Sequence, residues 1–234
     1  MQTIYPQDIL AYTQCPRRTL HDNGTVKQKS SRLSVFKSVV KKAYKYQLKY
    51  RQYPLWRTVS NWLDKEIKTQ VKSKKDYTNY TSLLPIIHKW YHKNFIHEST
   101  HLIVDLPIII NLDGRITYYD VIDLVLMDNK IEIVDFGTAD KLESINSLTL
   151  YNDHLTQLRA WGLYRVFEIE PEKYTRYYMT KTTVEPVSYF LRGKVLETAE
   201  KLVQHAAYGM FNGSYYPIRG EQCNTCPYFI NCSF

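Results

Sequence analysis

The stretch DVIDLVLMDNKIEIVDFGTAD, residues 120–140, determines the expected fold at the centre of this chain. Two apolar runs rich in β-branched residues flank the turn-forming pair Asp128-Asn129, a pattern that predicts two antiparallel strands. Three aspartates interrupt these apolar runs: Asp120, Asp123 and Asp135. Because a carboxylate inside an apolar strand is unusual, these aspartates are candidate functional residues, although a carboxylate on a strand can also be an edge or loop residue.

Further strands and helices are predicted on either side of this centre. The segments LIVDLPIII (102–110) and RITYYDVIDLVLM (115–127) flank Asp113-Gly114, a strong hairpin signal, and predict a three-stranded meander over 102–136. The helical spacing of apolar residues predicts three helices between 31 and 91, and a helix, a strand and a late helix after the meander. This order predicts an α/β fold, an α+β mixed sheet with helices on both faces.

The length of the turn at Asp128-Asn129 decides which aspartate faces Asp135. A two-residue turn places Asp120 on the same sheet face as Asp135, because side chains alternate between the two faces of a strand. A three-residue turn places Asp123 directly opposite Asp135. The pattern alone leaves both alternatives open.

The composition is that of a globular protein. The chain has 234 residues, of which 44% are hydrophobic and 23% charged, which excludes a disordered, collagen-like or coiled-coil chain. No run approaches the ~18 apolar residues that a membrane span needs, and the N-terminus lacks the pattern of a signal peptide. We therefore expect no membrane partner and a cytoplasmic location, or the host cytoplasm or virion if the source is a virus.

We expect a single domain over 1–234 that contains regions of different character. These are an N-terminal segment with Cys15 (1–30), a basic helical region (31–100), a sheet core (101–190), and a late helix with a cysteine-rich tail (191–234).

Positive charge is concentrated early in the chain. The chain has 31 lysines and arginines and 23 aspartates and glutamates, which gives a net charge of +8. Residues 17–75 alone hold 17 basic and 3 acidic residues, a net charge of +14. Such a polarised field favours a polyanion as partner. The candidate DNA-binding cations of the first predicted helix are Lys37, Lys41, Lys42, Lys45, Lys49 and Arg51.

The four cysteines have the spacing of a metal centre. Cys15 lies near the N-terminus, and Cys223, Cys226 and Cys232 form the pattern C-x2-C-x5-C in the tail. Stable disulfides are not expected in a cytoplasmic protein, so thiolates this closely spaced indicate either zinc or an iron–sulfur cluster. The spacing alone favours the cluster only slightly.

Both ends of the chain and its centre resemble one family of nucleases. YPQDILAYTQCPRR (5–18) is similar to the family segment S-x-L-x-x-Y-x-x-C-P-R, and GMFNGSYYPIRGEQCNTCPYFINC (209–232) resembles the family's closing segment. The family is the iron–sulfur branch of the PD-(D/E)XK nucleases, which includes AddB/RecB-type recombination nucleases and CRISPR-associated four-cysteine exonucleases. The resemblance implies a restriction-endonuclease-like core and a 4Fe–4S cluster on the four cysteines, which would join the two ends of the chain.

The resemblance also implies a site for Mg²⁺ or Mn²⁺. The family pattern G-x-I-D-L-V … I-V-D-Y-K-T matches Asp123 and Asp135 to the catalytic, metal-binding carboxylates, with Asp120 as the alternate for the first. Gln157 matches the catalytic glutamine of the family's Q-L-x-x-Y helix. A metal bound there activates water and neutralises the charge that builds up on the phosphate.

One position departs from the family pattern. Gly137 stands where the family has a lysine, and the loss of such a group commonly costs ~10²–10⁴-fold in rate. Either Lys141 supplies the missing cation, or the site is a relic and the fold survives for binding. Many members also carry a histidine in the first helix, where this chain has only lysines, and His88 and His92 in a later helix are candidate substitutes.

Two functions therefore stay open. The first is a metal-dependent, exonuclease-like DNA nuclease that acts on single strands or ends, with a helicase, a recombination protein or a viral assembly as partner. The second is an inactive homologue that binds DNA or docks in a larger nucleoprotein assembly, for example a viral one. A zinc-stapled DNA-binding protein of other ancestry is a weaker third alternative.

Overall fold

The computed structural model describes residues 2–17, 32–70, 80–95, 101–128, 130–142, 145–216, 218, 220–226 and 232. Helices and strands follow one another in the order β1 (Gln2–Ile4), α1 (Pro6–Gln14), α2 (Arg32–Tyr50), α3 (Trp56–Gln70), α4 (Leu83–Asn94), β2 (Leu102–Asn111), β3 (Ile116–Met127), β4 (Ile131–Thr138), α5 (Ser147–Tyr151), α6 (His154–Phe167), β5 (Lys173–Met179), β6 (Val184–Phe190) and α7 (Val195–Phe211), with a short 3₁₀ helix at Glu221–Thr225. The predicted class, α/β with an α+β mixed sheet, is confirmed.

The strands form one mixed sheet around β3. β2 pairs antiparallel with β3 along most of one edge, from Leu102–Leu126 to Asn111–Thr117. On the other edge, β1 pairs in parallel with the start of β3, and β4 pairs antiparallel with its end. β4 continues in a parallel pairing with β5, and β5 pairs antiparallel with β6. The predicted meander of β2, β3 and β4 is therefore confirmed.

The sequence pattern did not predict β1 and β6. β1 has only three residues. β6 contains Pro186 and is the last strand in the sheet order, which is the edge position to which proline is confined because it donates no backbone hydrogen bond.

Two apolar cores cover the two faces of the sheet. The first core lies under α1, α6 and α7 and includes Ile108, Tyr118 and Trp161. The second lies under α2, α3 and α4 and includes Phe36 and Trp90. Within the described ranges, no helix has both the length and the apolar character that crossing a lipid bilayer requires.

The side chains of β2 and β3 change faces partway along these strands. Ile122 packs in the first core and Leu124 in the second, although residues two apart on a regular strand share a face. Asp123 lies between them, and β2 makes the same change at Asp105, whose φ of 57° is left-handed. This local irregularity turns Asp123 toward the face that α2 covers.

The N-terminal helix α1 packs on α7 and on the residues that follow it. Tyr12 Oη donates a hydrogen bond to the Ser214 carbonyl at 2.6 Å, and the Arg17 N–H donates one to the Tyr216 carbonyl at 3.3 Å. The close approach requires Gly209, because a Cβ at this position would overlap the Tyr12 hydroxyl. Cys15 is therefore held on the side of the fold from which the cysteine-rich tail begins.

Candidate functional site

The candidate site lies where β4 separates from β3. Pairing between these strands ends at Leu124–Val134, and β4 then continues beside β5 alone. We call Asp120, Asp123 and Asp135 the fork aspartates because they lie at this separation. All three are buried, with 7%, 5% and 1% of their surfaces exposed.

The register agrees with the three-residue alternative. Met127 pairs with Ile131, which leaves three residues between the strands, among them Asn129, outside the described residues. Asp123 therefore lies opposite Asp135 along the strands. The two side chains nevertheless contact different helices, because the change of face in β3 turns Asp123 away from Asp135.

Asp123 is bound by two lysines of α2. Lys37 Nζ lies 2.8 Å from Oδ2 and Lys41 Nζ lies 2.6 Å from Oδ1. Burial alone would raise the pKa of Asp123, but the two ammonium groups outweigh it and hold the pKa below its usual value. Asp123 is therefore an ionised carboxylate that this chain already neutralises.

The same lysine row continues to Asp105. Lys41 Nζ lies 2.6 Å from Asp105 Oδ1 and Lys45 Nζ lies 2.5 Å from Oδ2. Burial lowers the pKa of Lys41, but Asp123 and Asp105 together raise it above the usual value. Three ammonium groups and two carboxylates thus form one network on the α2 face, with a net charge of +1.

Asp135 is bound on the opposite face by two arginines and a tyrosine. Arg159 Nη1 lies 2.5 Å from Oδ2, Arg176 Nε lies 2.8 Å from Oδ1, and Tyr174 Oη donates to Oδ2 at 2.8 Å. Burial raises the pKa of Tyr174, so this phenol is neutral and acts as a donor. Burial lowers the pKa of Arg176, but Asp135 more than compensates and raises it.

Asp120 shares a cation with Asp135. Arg159 Nε lies 3.3 Å from Asp120 Oδ2 while Nη1 of the same side chain contacts Asp135. Asp120 and Asp135 therefore share one face of the sheet. The two-residue turn at Asp128-Asn129 would have predicted the same pair. This arrangement arises here because the alternation of β3 is interrupted between Asp123 and Leu124, which both lie on the α2 face although they are consecutive.

Arg176 fills the space beside Gly137. Asp135 pairs with Arg176 across β4 and β5, and a Cβ on Gly137 would lie 3.1 Å from Arg176 Cδ and 3.4 Å from Tyr178 Cε1. An arginine from the neighbouring strand thus lies where a side chain at 137 would extend. Sequence reasoning missed this residue, although a charged residue inside the apolar strand KYTRYYM was a usable signal.

Gln157 and Lys141 contribute elsewhere in the structure. Gln157 Nε2 donates to the Tyr151 carbonyl at 2.8 Å, and its Oε1 lies 3.1 Å from His154 Nδ1, so it joins α5 to α6. Lys141 is exposed in the segment that follows β4, whereas the cations in contact with Asp135 are Arg159 and Arg176. Catalytic roles for Gln157 and Lys141 stay predictions.

Most of the predicted DNA-binding cations contact carboxylates of the chain itself. Lys37 and Lys41 bind Asp123, Lys45 binds Asp105 and Lys42 binds Glu66. Lys49 instead lies over the Tyr50 ring, 5.1 Å from its centroid, and Arg51 is exposed just after α2. The charge that this set offers to an external polyanion is therefore concentrated at the C-terminal end of α2.

The cysteines are free thiols in this structure. Cys15 is buried directly after α1, and Cys223, Cys226 and Cys232 are half-buried. The Cys226 N–H donates to the Cys223 carbonyl at 3.2 Å, as the 3₁₀ turn requires. Among the described residues, which leave out 227–231 of the tail, no three His, Cys, Asp or Glu side chains gather around a possible metal position. Metal binding by the cysteines and by the fork aspartates stays a prediction.

Comparisons with known proteins support the fold. No family model and no curated protein matches the sequence. The structure is similar to that of a protein from Eubacterium rectale that is proposed to be an exonuclease, with a TM-score of 0.57 and 11% identity over 100% of this chain and 89% of that chain. The structure of SSO0001 gives a TM-score of 0.46 and 14% identity over 99% and 85% of the two chains. This chain thus has a mixed α/β fold like that of a proposed exonuclease.

Proposed function

We propose that this chain is a nucleic-acid-binding protein on a nuclease-like fold in which side-chain cations have replaced the catalytic metal ion. One observation carries the proposal: each fork aspartate contacts a lysine or arginine of the same chain. Mg²⁺ and Mn²⁺ need anionic oxygen ligands. Ammonium and guanidinium groups within hydrogen-bond distance occupy those oxygens and cancel the charge that would attract the metal.

The surroundings of Gly137 support the same proposal. A catalytic lysine at 137 would need the space that Arg176 takes. Arg176 is bound to Asp135 and Asp153, so its charge is committed to the interior of the protein. The local cation therefore stabilises the fold and is not free to position an attacking water.

Nucleic acid is the proposed ligand because of the charge distribution. Residues 17–75 carry 17 basic and 3 acidic residues, and a phosphate backbone is the common polyanion that such a field attracts. Within the described ranges, Lys49 and Arg51 are the members of the predicted set that form no ion pair with a carboxylate. We propose that they contact DNA, as single strands or ends, and that the protein works within a larger nucleoprotein assembly, for example a viral one.

A 4Fe–4S cluster on Cys15, Cys223, Cys226 and Cys232 is part of the proposal. Four free thiols suit such a cluster, and the hydrogen bonds of Tyr12 to Ser214 and of Arg17 to Tyr216 hold the residues before the cysteine-rich tail beside α1. When bound, the cluster would join the ends of the chain and stabilise the fold.

A metal-dependent nuclease is the second candidate, and the Asp120–Asp135 pair favours it. Both carboxylates contact Arg159 from one face of the sheet, and two carboxylates on neighbouring strands suit Mg²⁺ or Mn²⁺ if Arg159 moves away. On this alternative the protein would act as an exonuclease with a helicase or recombination partner.

A cleavage assay separates the two candidates. End-labelled single- and double-stranded DNA is incubated with the purified protein and Mg²⁺ or Mn²⁺, and binding is followed in parallel by fluorescence anisotropy. We expect binding without cleavage. Mn²⁺-dependent cleavage that Asp135→Asn and the milder Asp120→Asn both abolish, with folding checked by circular dichroism, would replace the proposal by the second candidate.

A salt titration tests the binding surface. We expect the double variant Lys49→Gln/Arg51→Asn to reduce the slope of log K against log salt by roughly 1.4 for single-stranded DNA, about 0.7 for each lost phosphate contact. Asparagine suits position 51 because it tolerates the left-handed backbone there, φ 55°. Lys201→Gln, on the exposed side of α7, is the matched control. An unchanged slope in the double variant would remove this surface from the proposal.

A further inference from the structure

Two histidine side chains of α4, a helix that carries none of the fork aspartates, converge on one point. His88 and His92 are four residues apart on the helix, and their Nε2 atoms lie 3.1 Å from each other. Both side chains are exposed, so an ion in solution can reach them. Residues four apart on a helix share one face, which explains why both imidazoles reach the same point.

From this geometry we infer that His88 and His92 form a bidentate site for a late transition-metal ion of the class Cu²⁺, Ni²⁺ or Zn²⁺. Bonds of about 2.05 Å from the metal to each Nε2 would subtend an angle of roughly 100° for the observed separation. That angle lies between the octahedral and tetrahedral values, so both nitrogens can bind one ion with little movement.

The chemistry of the ligands selects the class of metal. Imidazole suits copper, nickel and zinc, whereas Mg²⁺ and Mn²⁺ prefer carboxylate and water oxygens. The site is thus distinct in its metal preference from a nuclease site at the fork aspartates and independent of the proposed function. Two protein ligands leave the remaining positions to water or to a second ligand.

The surroundings of the histidines hold the pair in place. The Trp56 ring from α3 lies 4.6 Å from His88 and 6.3 Å from His92, centroid to centroid, and the two imidazole centroids are 4.4 Å apart. The nearest lysines along the helix are directed to another partner: Lys93 Nζ lies 2.8 Å and Lys89 Nζ 3.7 Å from Glu185. Part of the positive charge that would repel a metal ion is thereby neutralised.

Copper held by iminodiacetate provides a direct test on the full-length chain, because this complex has coordination positions open for two imidazoles. The electron paramagnetic resonance spectrum reports nitrogen hyperfine splitting, which distinguishes imidazole from cysteine thiolate. We expect coordination by two imidazole nitrogens, and a loss of affinity of about tenfold or more in either His88→Ala or His92→Ala, because chelation is lost.

A rearranged variant controls for the mere number of histidines. His92→Ala/Lys93→His keeps two histidines but separates them by five residues, which places them on different parts of the helix surface. We expect this variant to bind like a single histidine. Binding as tight as in the parent chain, or an affinity unchanged in both alanine variants, would overturn the inference and leave only a hydrogen bond between the two rings.

Discussion

At the scale of single residues, compensation of buried charge governs the candidate site. Removing an ion from water costs several kcal/mol even after the protein relaxes, so each buried aspartate must have a partner. Lys41 is the central residue of the α2 network because its ammonium group bridges Asp105 and Asp123. Its removal leaves both carboxylates with less compensation at the same time.

We predict that Lys41→Met lowers the free energy of unfolding at pH 7 by about 2–4 kcal/mol, as expected when one partner of a buried ion pair is removed. The measurement is a urea denaturation series. Asp123→Asn and the double variant Lys41→Met/Asp123→Asn complete a double-mutant cycle, in which the double variant should lose less than the sum of the two single losses because Lys41 and Asp123 contact each other. Additive losses in the double variant would show that Lys41 and Asp123 do not interact.

A second residue-scale prediction concerns Gly137. We expect Gly137→Lys alone to destabilise the protein, because the new side chain competes with Arg176 for the same space. In the Arg176→Ala background the lysine has room beside Asp135. Thermal unfolding should show that the double variant is more stable than the sum of the two single changes predicts. Cleavage of DNA with Mn²⁺ by the double variant alone would show that the rest of a nuclease site is intact.

At the scale of elements, the packing of α1 on α7 depends on one missing side chain. We predict that Gly209→Ala destabilises the protein by about 1–3 kcal/mol, because a Cβ there overlaps Tyr12 and overpacking forces the helices apart. Urea denaturation measures the loss. In the Tyr12→Ala background, where the overlapping side chain is absent, Gly209→Ala should cost less stability than it does in the parent chain. Tyr208→Ala, at an exposed position of the same helix, should have little effect.

At the scale of the whole molecule, we predict that the cysteines join the two ends through one iron–sulfur cluster. Protein prepared without oxygen should contain iron and sulfide and absorb near ~400 nm, which a zinc site cannot do. Cys15→Ser should remove this absorption and lower the melting temperature, because the staple between the ends is lost. A colourless preparation with one equivalent of zinc would contradict the cluster and support the zinc alternative.

A second whole-molecule prediction concerns the stability of the fold at low pH. In Glu66, Asp105 and Asp123 burial raises the pKa, but neighbouring lysines outweigh it and lower the pKa in the folded state. Their contribution to stability is fully present above the unfolded values of about 4 and disappears as the pH falls through the lower folded values. The urea midpoint should therefore fall as the pH is lowered below about 4. Glu185, whose pKa the hydrogen bond from Lys93 lowers, acts in the same direction, whereas Asp8, whose pKa burial raises, acts in the opposite direction. A midpoint independent of pH in this range would contradict the prediction.

The sequence by itself determined the meander, the helices on both faces and the aspartates as the exceptional residues, because hydrophobic period and turn chemistry are local properties. Short β1 and the edge strand β6, with its internal proline, lacked a local signal of that kind. Only the tertiary structure decided how the aspartates are compensated: a change of face within β3 turns Asp123 to the lysines of α2, and Asp135 is bound by arginines from α6 and β5. Those partners come from positions distant in sequence. Where the alternation of a strand is interrupted, packing on both faces of the sheet determines which face each later residue takes, and no local pattern encodes that packing.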